Sequence, residues 1–179
     1  MAKAKPFIKW VGGKNQLIEQ LDLLLPADFD KWENVTYIEP FVGGGAMLFY
    51  MLQRYPNIKN AVINDINSDL ITCYRTIRDT PEQLIDALKV IENAFLTLEK
   101  EEDRKSMFLT VRNRYNEKNL NPIENTTLFF FLNRTCFNGL YRVNKKGQFN
   151  VPMGAYKNPT ICDENNLRIV SEALQNVTI

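Results

Sequence analysis

Three consecutive glycines, Gly43 to Gly45, constrain the fold of this chain more than any other feature. A short β-rich run (residues 35–38) precedes them, and residues 46–54 (AMLFYMLQR) have the composition of a helix. A strand, a glycine loop and a helix in this order place a ligand against the backbone amides at the helix N-terminus. Glycines suit this loop because a backbone without side chains can turn tightly and approach a ligand closely. The pattern predicts an α/β fold with a ligand site at the end of a strand.

Glu39, at the end of this strand, indicates which ligand the loop binds. Counted from Gly43, the third glycine of the dinucleotide-binding fingerprint is replaced by Leu48. A pyrophosphate beside Glu39 would meet a like charge, whereas a ligand that carries a sulfonium and an ammonium group would be attracted. S-adenosylmethionine therefore fits this loop better than a nicotinamide dinucleotide does.

A second acid follows the next predicted strand. Residues 60–64 (NAVIN) predict that strand, and Asp65 lies 20 residues beyond Gly45. This is close to the offset of about 20 residues at which an acid reaches a ribose diol. Asp65 and Asn67 also precede a helical run over residues 68–78, so a helix cap is the alternative role, and both roles can coexist.

The amino-terminal stretch FIKWVGGK (residues 7–14) is a second aromatic and glycine turn, followed by a predicted helix over residues 15–25. With Lys9 and Lys14 on either side, this turn could line the same ligand pocket. The alternative is a simple turn in which Trp10 fills the core.

Composition excludes several classes of function. The chain has 179 residues and no histidine, which rules out a histidine base, a Ser–His pair or a histidine-ligated metal. Its three cysteines are widely spaced, so we expect no disulfide framework, no metal site and a reducing compartment. No signal-peptide pattern is present, and the longest apolar run (residues 128–132) is too short to span a membrane. The length suits one domain, or one domain with an insertion.

The charges are unevenly distributed along the chain. Residues 1–18 carry four lysines and no acid, and residues 125–162 carry five basic residues and no acid. The segment between them holds 18 of the 21 acids. Two basic tracts separated by an acidic block suggest one face for a polyanion, although unevenly charged solvated surfaces are the alternative.

The segment after the second strand is helical. Thr80-Pro81-Glu82-Gln83 predicts a capping box that opens a long helix, and further helices are predicted over residues 106–115 and 127–134, the last opened by Asn125 or Thr126. Because this block follows only two strands, we interpret it as an insertion into an α/β sheet. A final helix (residues 163–176) precedes a strand that begins at Val177.

Residues 140–144 and 148–151 predict a hairpin around Lys145-Lys146-Gly147. The hairpin region mixes cations, amides and aromatic rings. Cations neutralise phosphates, arginine and asparagine pair with base edges, and an aromatic ring can stack where a base has left the duplex. The composition favours a nucleic-acid surface over a polar hairpin with aromatic side chains in the core.

These motifs, in this order, resemble those of the Dam-type DNA adenine methyltransferases (D12 class, alpha group), which methylate adenine N6 in GATC and related sites. Phe7-x-Lys9-Trp10-x-Gly12-Gly13-Lys14 is similar to the family's amino-terminal cofactor motif, Glu39-Pro40-Phe41-x-Gly43-x-Gly45 to its S-adenosylmethionine loop, and Asp65-Ile66-Asn67 to its ribose-binding motif. Leu132-Asn133-Arg134, Phe137-Asn138-Gly139-Leu140-x-Arg142 and Gly147-x-Phe149-Asn150-Val151-Pro152 are similar to its recognition hairpin.

The resemblance implies a Rossmann-like S-adenosylmethionine-dependent methyltransferase sheet, incomplete at the C-terminus, with an inserted helical target-recognition domain and β-hairpin. Residues 1–78 and 160–179 would form the cofactor-binding domain, and residues 79–159 the target-recognition domain. The cofactor residues would be Trp10, Gly12, Lys14, Glu39, Pro40, Phe41, Gly43, Gly45, Asp65 and Ile66. The DNA-binding residues would be Lys9, Arg134, Phe137, Asn138, Leu140, Arg142, Lys145, Lys146 and Pro152.

Phe137 would lie beside the space that an extruded adenine vacates, where the family usually has tyrosine. The partner implied is double-stranded DNA. The protein would be a monomer in the cytoplasm of a bacterium or a phage-infected cell, associated with the nucleoid through DNA. Its role could be restriction–modification, phage or housekeeping methylation.

One departure from the family concerns catalysis. The Asp-Pro-Pro-Tyr motif, or its Asn or Ser variants, does not occur in this sequence, so no catalytic residue is predicted within it. In the family the motif follows the recognition region, and we expect a truncated chain that shows no turnover alone. The alternatives are a non-catalytic DNA-binding protein on the same scaffold, or a methyltransferase for RNA or a small molecule.

Overall fold

Three parallel strands organise the fold of this computed structural model, which describes residues 3–12 and 17–179. Strands β1 (Val35–Glu39), β2 (Ile58–Ile63) and β3 (Val177–Thr178) lie in the order β1-β2-β3. Glu39 pairs with Ile63, and Ala61 pairs with Val177. Because parallel strands end at one edge of a sheet, the residues that follow β1 and β2 meet there.

Helix α1 (Ile18–Asp22) and helix α2 (Ala46–Arg54) belong to the first part of the fold. Helix α2 has the predicted bounds. Helix α1 is shorter than the predicted run of residues 15–25, although residues 15 and 16 lie outside the described residues. Tyr55, just after α2, donates a hydrogen bond to Asp22, and this bond together with burial raises the pKa of Tyr55 to about 12.

Five more helices complete the fold: α3 (Ser68–Asp79), α4 (Pro81–Leu96), α5 (Glu101–Asn116), α6 (Pro122–Thr135) and α7 (Glu164–Ala173). Helix α6 packs against α3, α4 and α5, and its run Phe129-Phe130-Phe131-Leu132 is fully buried. A helix that is surrounded on every side is apolar on every side. Within the described ranges, no helix combines the length and the apolar character that a bilayer span requires.

Two predicted helix starts are wrong. Helix α6 begins at Pro122 rather than at residue 127, and the Asn121 side chain accepts a hydrogen bond from the Glu124 backbone N–H at 2.9 Å. Helix α5 begins at Glu101 rather than at residue 106, with three acids in its first turn. Acids stabilise this end because they face the positive end of the helix dipole.

The capping box predicted at Thr80 is also wrong, although α4 does begin at Pro81. The Thr80 hydroxyl donates to the Thr76 carbonyl at 3.2 Å and accepts no hydrogen bond from the first turn of α4. The hydroxyl is held by the end of α3 because α3 runs almost directly into α4.

The hairpin forms, but without two regular strands. Val143 and Phe149 form an isolated antiparallel bridge, and the Gly147 N–H donates to the Asn144 carbonyl within the turn. Asn116 on α5 binds both backbone groups of Phe149, at 2.7 Å to its N–H and 3.0 Å to its carbonyl. The side-chain amide of Asn116 therefore makes the two backbone hydrogen bonds that a neighbouring strand would make to Phe149.

The predicted α/β class is confirmed, with a small parallel sheet and a large helical part. One hydrophobic cluster joins the two predicted domains. It includes Phe7 and Leu48 from residues 1–78 and Leu88 and Phe131 from residues 79–159. The division into two domains remains a prediction.

Candidate cofactor and DNA site

A cleft of about 990 Å³ opens at the edge where β1 and β2 end. Three chain segments form its walls: the amino-terminal turn, the glycine loop between β1 and α2, and the residues that follow β2. Ten of the predicted site residues line it: Lys9, Trp10, Gly12, Glu39, Phe41, Gly43, Asp65, Ile66, Arg134 and Asn138. Motifs that were predicted separately for cofactor and for DNA therefore meet in one cavity.

Three predicted cofactor residues are not among those that the structure shows in the cleft lining. Pro40 and Gly45 belong to the glycine loop without lining the cleft. Lys14 lies outside the described residues.

The glycine loop is packed tightly against protein side chains. Gly45 has a φ of +79°, and a Cβ placed there would lie 2.6 Å from the Tyr74 hydroxyl and 2.8 Å from the Phe49 ring. Gly43 has a φ of +51°, and a Cβ there would lie 2.9 Å from the Trp10 ring. The buried Tyr74 hydroxyl also donates to the Gly43 carbonyl at 2.9 Å. The glycines are therefore required by internal packing as well as by the turn.

Asp65 is tied to the same loop. One carboxylate oxygen accepts from the Gly43 N–H at 3.0 Å, and the other accepts from the Asn67 N–H at 3.0 Å. Asn67, rather than Asp65, caps α3 by accepting from the Leu70 N–H at 3.0 Å. Each carboxylate oxygen has a second lone pair, so Asp65 keeps acceptor capacity for a ligand. Its role in ribose binding stays a prediction.

Glu39 places a buried carboxylate beside the loop. It accepts a hydrogen bond from the Tyr37 hydroxyl at 2.9 Å, and its backbone carbonyl accepts from the Asn64 N–H at 3.0 Å. Burial, together with the charge and hydrogen bond of Glu39, raises the pKa of Tyr37, so this tyrosine remains a donor. A carboxylate in this setting favours a cationic ligand group.

The amino-terminal segment is held by side chains in place of a neighbouring strand. Asn133 accepts from the Lys9 N–H at 2.9 Å and donates to the Lys9 carbonyl at 2.8 Å and the Gly139 carbonyl at 3.0 Å. Asn166 binds both backbone groups of Lys5 in the same way, at 2.9 and 3.0 Å. These bonds fix the position of Trp10, whose ring lies 5.5 Å from that of Tyr141. Trp10 is half-buried, and it both packs against the hydrophobic core and lines the cleft.

Seven of the nine predicted DNA-binding residues are exposed, and two are half-buried. Phe137, Asn138, Arg142, Lys145, Lys146 and Pro152 are exposed. Leu140 is half-buried against the core, and Arg134 is half-buried in the cleft wall. Lys9 is exposed, and its ammonium donates to the Tyr156 hydroxyl at 3.1 Å.

The hairpin region has both buried and exposed side chains. Phe149 is buried and Tyr141 packs against the core, as in a hairpin with aromatic side chains in the interior. Phe137 is 51% exposed and Asn138 has a φ of +54°, on the turn that follows α6. Phe137, Lys145 and Lys146 are exposed to solvent, whereas Arg142 is exposed but hydrogen-bonded to Asn150.

Sequence reasoning missed two residues that hold this site. Tyr74 supports the glycine loop from the middle of α3, and Asn116 holds the hairpin from the end of α5. No local pattern identifies either contact, since the partners are 31 and 33 residues apart.

Across residues 3–12 and 17–179, no three acids or cysteines are grouped so as to hold a metal ion.

Comparison with known proteins supplies the family. The model for the D12 class N6 adenine-specific DNA methyltransferases matches residues 10–179. The chain is 49% identical over 180 residues to the type II methyltransferase M.MjaIII of Methanocaldococcus jannaschii, covering 99% of this chain and 61% of that protein.

Two other relatives are similar at lower identity. The type II methyltransferase M1.LlaDCHI of Lactococcus lactis subsp. cremoris is 40% identical over 98% of this chain and 56% of its own length. The DNA adenine methylase of Escherichia coli (strain K12) is 33% identical over 98% of this chain and 56% of its own length. The chain spans about three fifths of the length of these relatives. Because the family model matches nearly the whole chain, the chain belongs to the D12 class N6 adenine-specific DNA methyltransferase family.

Proposed function

We propose that the protein containing this chain transfers a methyl group from S-adenosylmethionine to N6 of an adenine flipped out of duplex DNA, at GATC-like sites. The observation that carries the proposal is the single cleft that brings Glu39, Gly43 and Asp65 together with Lys9 and Asn138. A methyl donor and a flipped base must occupy one cavity for the transfer to occur.

The residues of the cleft fit S-adenosylmethionine. Its volume lies within the range of about 300–1,000 Å³ that is usual for small-molecule sites. The cofactor would supply an electrophilic methyl group. The buried Glu39 carboxylate would attract its cationic part, Asp65 would accept hydrogen bonds from the ribose hydroxyls, and Trp10 would close one wall of the cavity.

The exposed residues of the hairpin region would bind DNA. Arg142, Lys145 and Lys146 would neutralise phosphates or reach base edges, with Leu140 and Pro152 beside them. Phe137 would stack in the space that the flipped adenine leaves. In this proposal residues 79–159 recognise the target, residues 1–78 and 160–179 bind the cofactor, and the protein acts as a monomer.

We expect these 179 residues alone to bind without turnover. Transfer requires acceptors for the two amino hydrogens of adenine, which free the nitrogen lone pair for attack on the methyl group. The tetrapeptide that supplies these acceptors in the family does not occur in this sequence. The remaining residues would position the two ligands, which is one part of catalysis.

Calorimetric titration with S-adenosylhomocysteine and competition between GATC and scrambled duplexes at 100 mM salt would test the proposal. We expect saturable cofactor binding and a preference for the GATC duplex. Duplex binding without cofactor binding would favour a non-catalytic DNA-binding protein, and cofactor binding without any duplex preference would favour an RNA or small-molecule substrate. Methyl incorporation by the 179 residues alone would overturn the expectation of no turnover.

A further inference from the structure

We propose that Tyr141 is a positioning residue for the cofactor, because its ring holds Trp10 in the wall of the cleft. This inference rests on the proposed function, in which Trp10 closes one wall of the cofactor cavity. Tyr141 belongs to the first arm of the hairpin and is not among the residues that the structure shows in the cleft lining. It would therefore act on the cofactor through Trp10 and not by direct contact.

The side chain of Trp10 contacts both the glycine loop and two aromatic rings. A Cβ at Gly43 would lie 2.9 Å from the Trp10 ring, and a Cβ at Gly44 would lie 3.3 Å from the Trp10 Cβ. The ring centroids of Tyr141 and Phe129 lie 5.5 and 6.3 Å from that of Trp10. Groups packed this closely hold one another in place, so the orientation of the indole depends on the hairpin arm as well as on the loop.

Tyr141 is held chiefly by contacts of its ring. The ring lies 5.5 Å from that of Phe129 and 6.0 Å from that of Phe149, and both of these rings are buried. The Tyr141 hydroxyl donates to Asp69 at 3.5 Å, a distance at which a hydrogen bond is weak. The same carboxylate oxygen already accepts from the Tyr115 hydroxyl at 2.5 Å. Loss of the Tyr141 hydroxyl should therefore matter less than loss of the ring.

The contact between Tyr141 and Trp10 must act in both directions. If it favours cofactor binding, the bound cofactor favours the contact by the same factor. Tyr141 precedes Arg142, whose carbonyl accepts from the Asn150 N–H at 3.1 Å across the hairpin. Cofactor binding should therefore make this hairpin bond open less often, which hydrogen exchange measures.

The test titrates S-adenosylhomocysteine by calorimetry into the wild-type protein and into Tyr141→Leu and Tyr141→Phe. We expect Tyr141→Leu to weaken binding by about three- to tenfold, the range for the loss of one aromatic pair. Tyr141→Phe keeps the ring, so it should bind within about twofold of the wild type.

Phe108→Leu is the matched control, because it also replaces a ring of the core with leucine. Phe108 lies on α5, is buried, and packs against Phe131 with 6.4 Å between ring centroids. This variant should lose stability but keep its affinity for S-adenosylhomocysteine within about twofold. Trp10→Leu tests the route of the effect: once the indole is gone, Tyr141→Leu should cause no further loss of affinity.

A measurement on the wild-type protein keeps the test usable if Tyr141→Leu fails to fold. Saturating S-adenosylhomocysteine should slow hydrogen exchange at the Asn150 N–H by at least about twofold.

Four results would overturn the inference. Unchanged affinity in Tyr141→Leu, or unchanged exchange at Asn150, would mean that Tyr141 does not position Trp10 for the cofactor. An equal loss in Phe108→Leu would mean that destabilisation alone weakens binding. A further loss in the Trp10→Leu background would mean that Tyr141 acts by another route. If the wild-type protein does not bind S-adenosylhomocysteine, the proposed function fails instead, so the two failures can be distinguished.

Discussion

Replacing Gly45 with alanine tests whether the glycine loop is held by internal packing. The new Cβ would lie 2.6 Å from the Tyr74 hydroxyl and 2.8 Å from the Phe49 ring, both of which are buried. Gly147, in the hairpin turn, is a matched control. Its φ of +73° is close to the +79° of Gly45, but a Cβ there would meet nothing within 4 Å.

The two substitutions share one cost and differ in another. An alanine in the left-handed region costs about 1–2 kcal/mol at either position. Overpacking a filled core adds about 1–3 kcal/mol, and it applies only at Gly45. We therefore expect the free energy of unfolding to fall by about 2–5 kcal/mol for Gly45→Ala and by about 1–2 kcal/mol for Gly147→Ala.

Urea unfolding followed by circular dichroism measures both changes in the free energy of unfolding. The comparison holds when the slope of that free energy against urea concentration is the same for each variant. Tyr74→Phe in the Gly45→Ala background removes the closest contact. The two changes should therefore be non-additive, with the double variant more stable than the sum of the single losses predicts. If Gly45→Ala loses no more stability than Gly147→Ala, the tight packing of the loop is refuted.

Three further predictions concern positioning, pH and DNA. Asn133→Ala leaves the backbone groups of Lys9 and Gly139 without partners, so it should lower the free energy of unfolding by about 2–4 kcal/mol. Asn116→Ala, which removes two less buried bonds, should lower it less in the same urea assay, and an equal loss would contradict the reasoning. Burial alone would raise the pKa of Asp69, but hydrogen bonds from Lys118 and Tyr115 outweigh it and hold that pKa below its usual value. The stability from Asp69 is therefore present at neutral pH and is lost as the pH falls below about 4. Asp69→Asn should reduce the loss of stability at acid pH, and an unchanged profile of stability against pH would exclude the effect. Lys145→Ala and Lys146→Ala should each reduce the slope of log affinity for duplex DNA against log salt by about 1, whereas an unchanged slope would remove that lysine from the phosphate contacts.

The parts of the fold that could be predicted are those whose signals are local. The bounds of α2 follow from the glycine loop before it and its helical composition, and the start of α3 follows from the Asn67 cap, so each signal lies within a few residues. The start of α6 was missed although Asn121-Pro122-Ile123-Glu124 carries the same kind of start signal as residues 80–83.

The parts that could not be predicted depend on contacts between distant residues. The motifs contain ten of the residues that line the cleft, and most of these ten lie at the end of a strand or in a turn. The bond between Asn133 and Lys9 spans 124 residues, and that between Asn166 and Lys5 spans 161. An asparagine in a helix has no feature in the sequence that says which backbone it will bind. The position of Arg134 in the cleft wall, rather than on the exposed hairpin, depends on the same packing.

The position of Trp10 makes it an intrinsic fluorescence probe of the site. The chain has two tryptophans, and the other, Trp32, packs beside Phe29 in a separate cluster. Replacing Trp32 with phenylalanine leaves one emitter, whose indole lies against Gly43 and near the Tyr141 ring of the hairpin region. Its emission will report changes in the loop and in the hairpin with a single signal, so the order in which two ligands arrive can be followed by rapid mixing without an added dye.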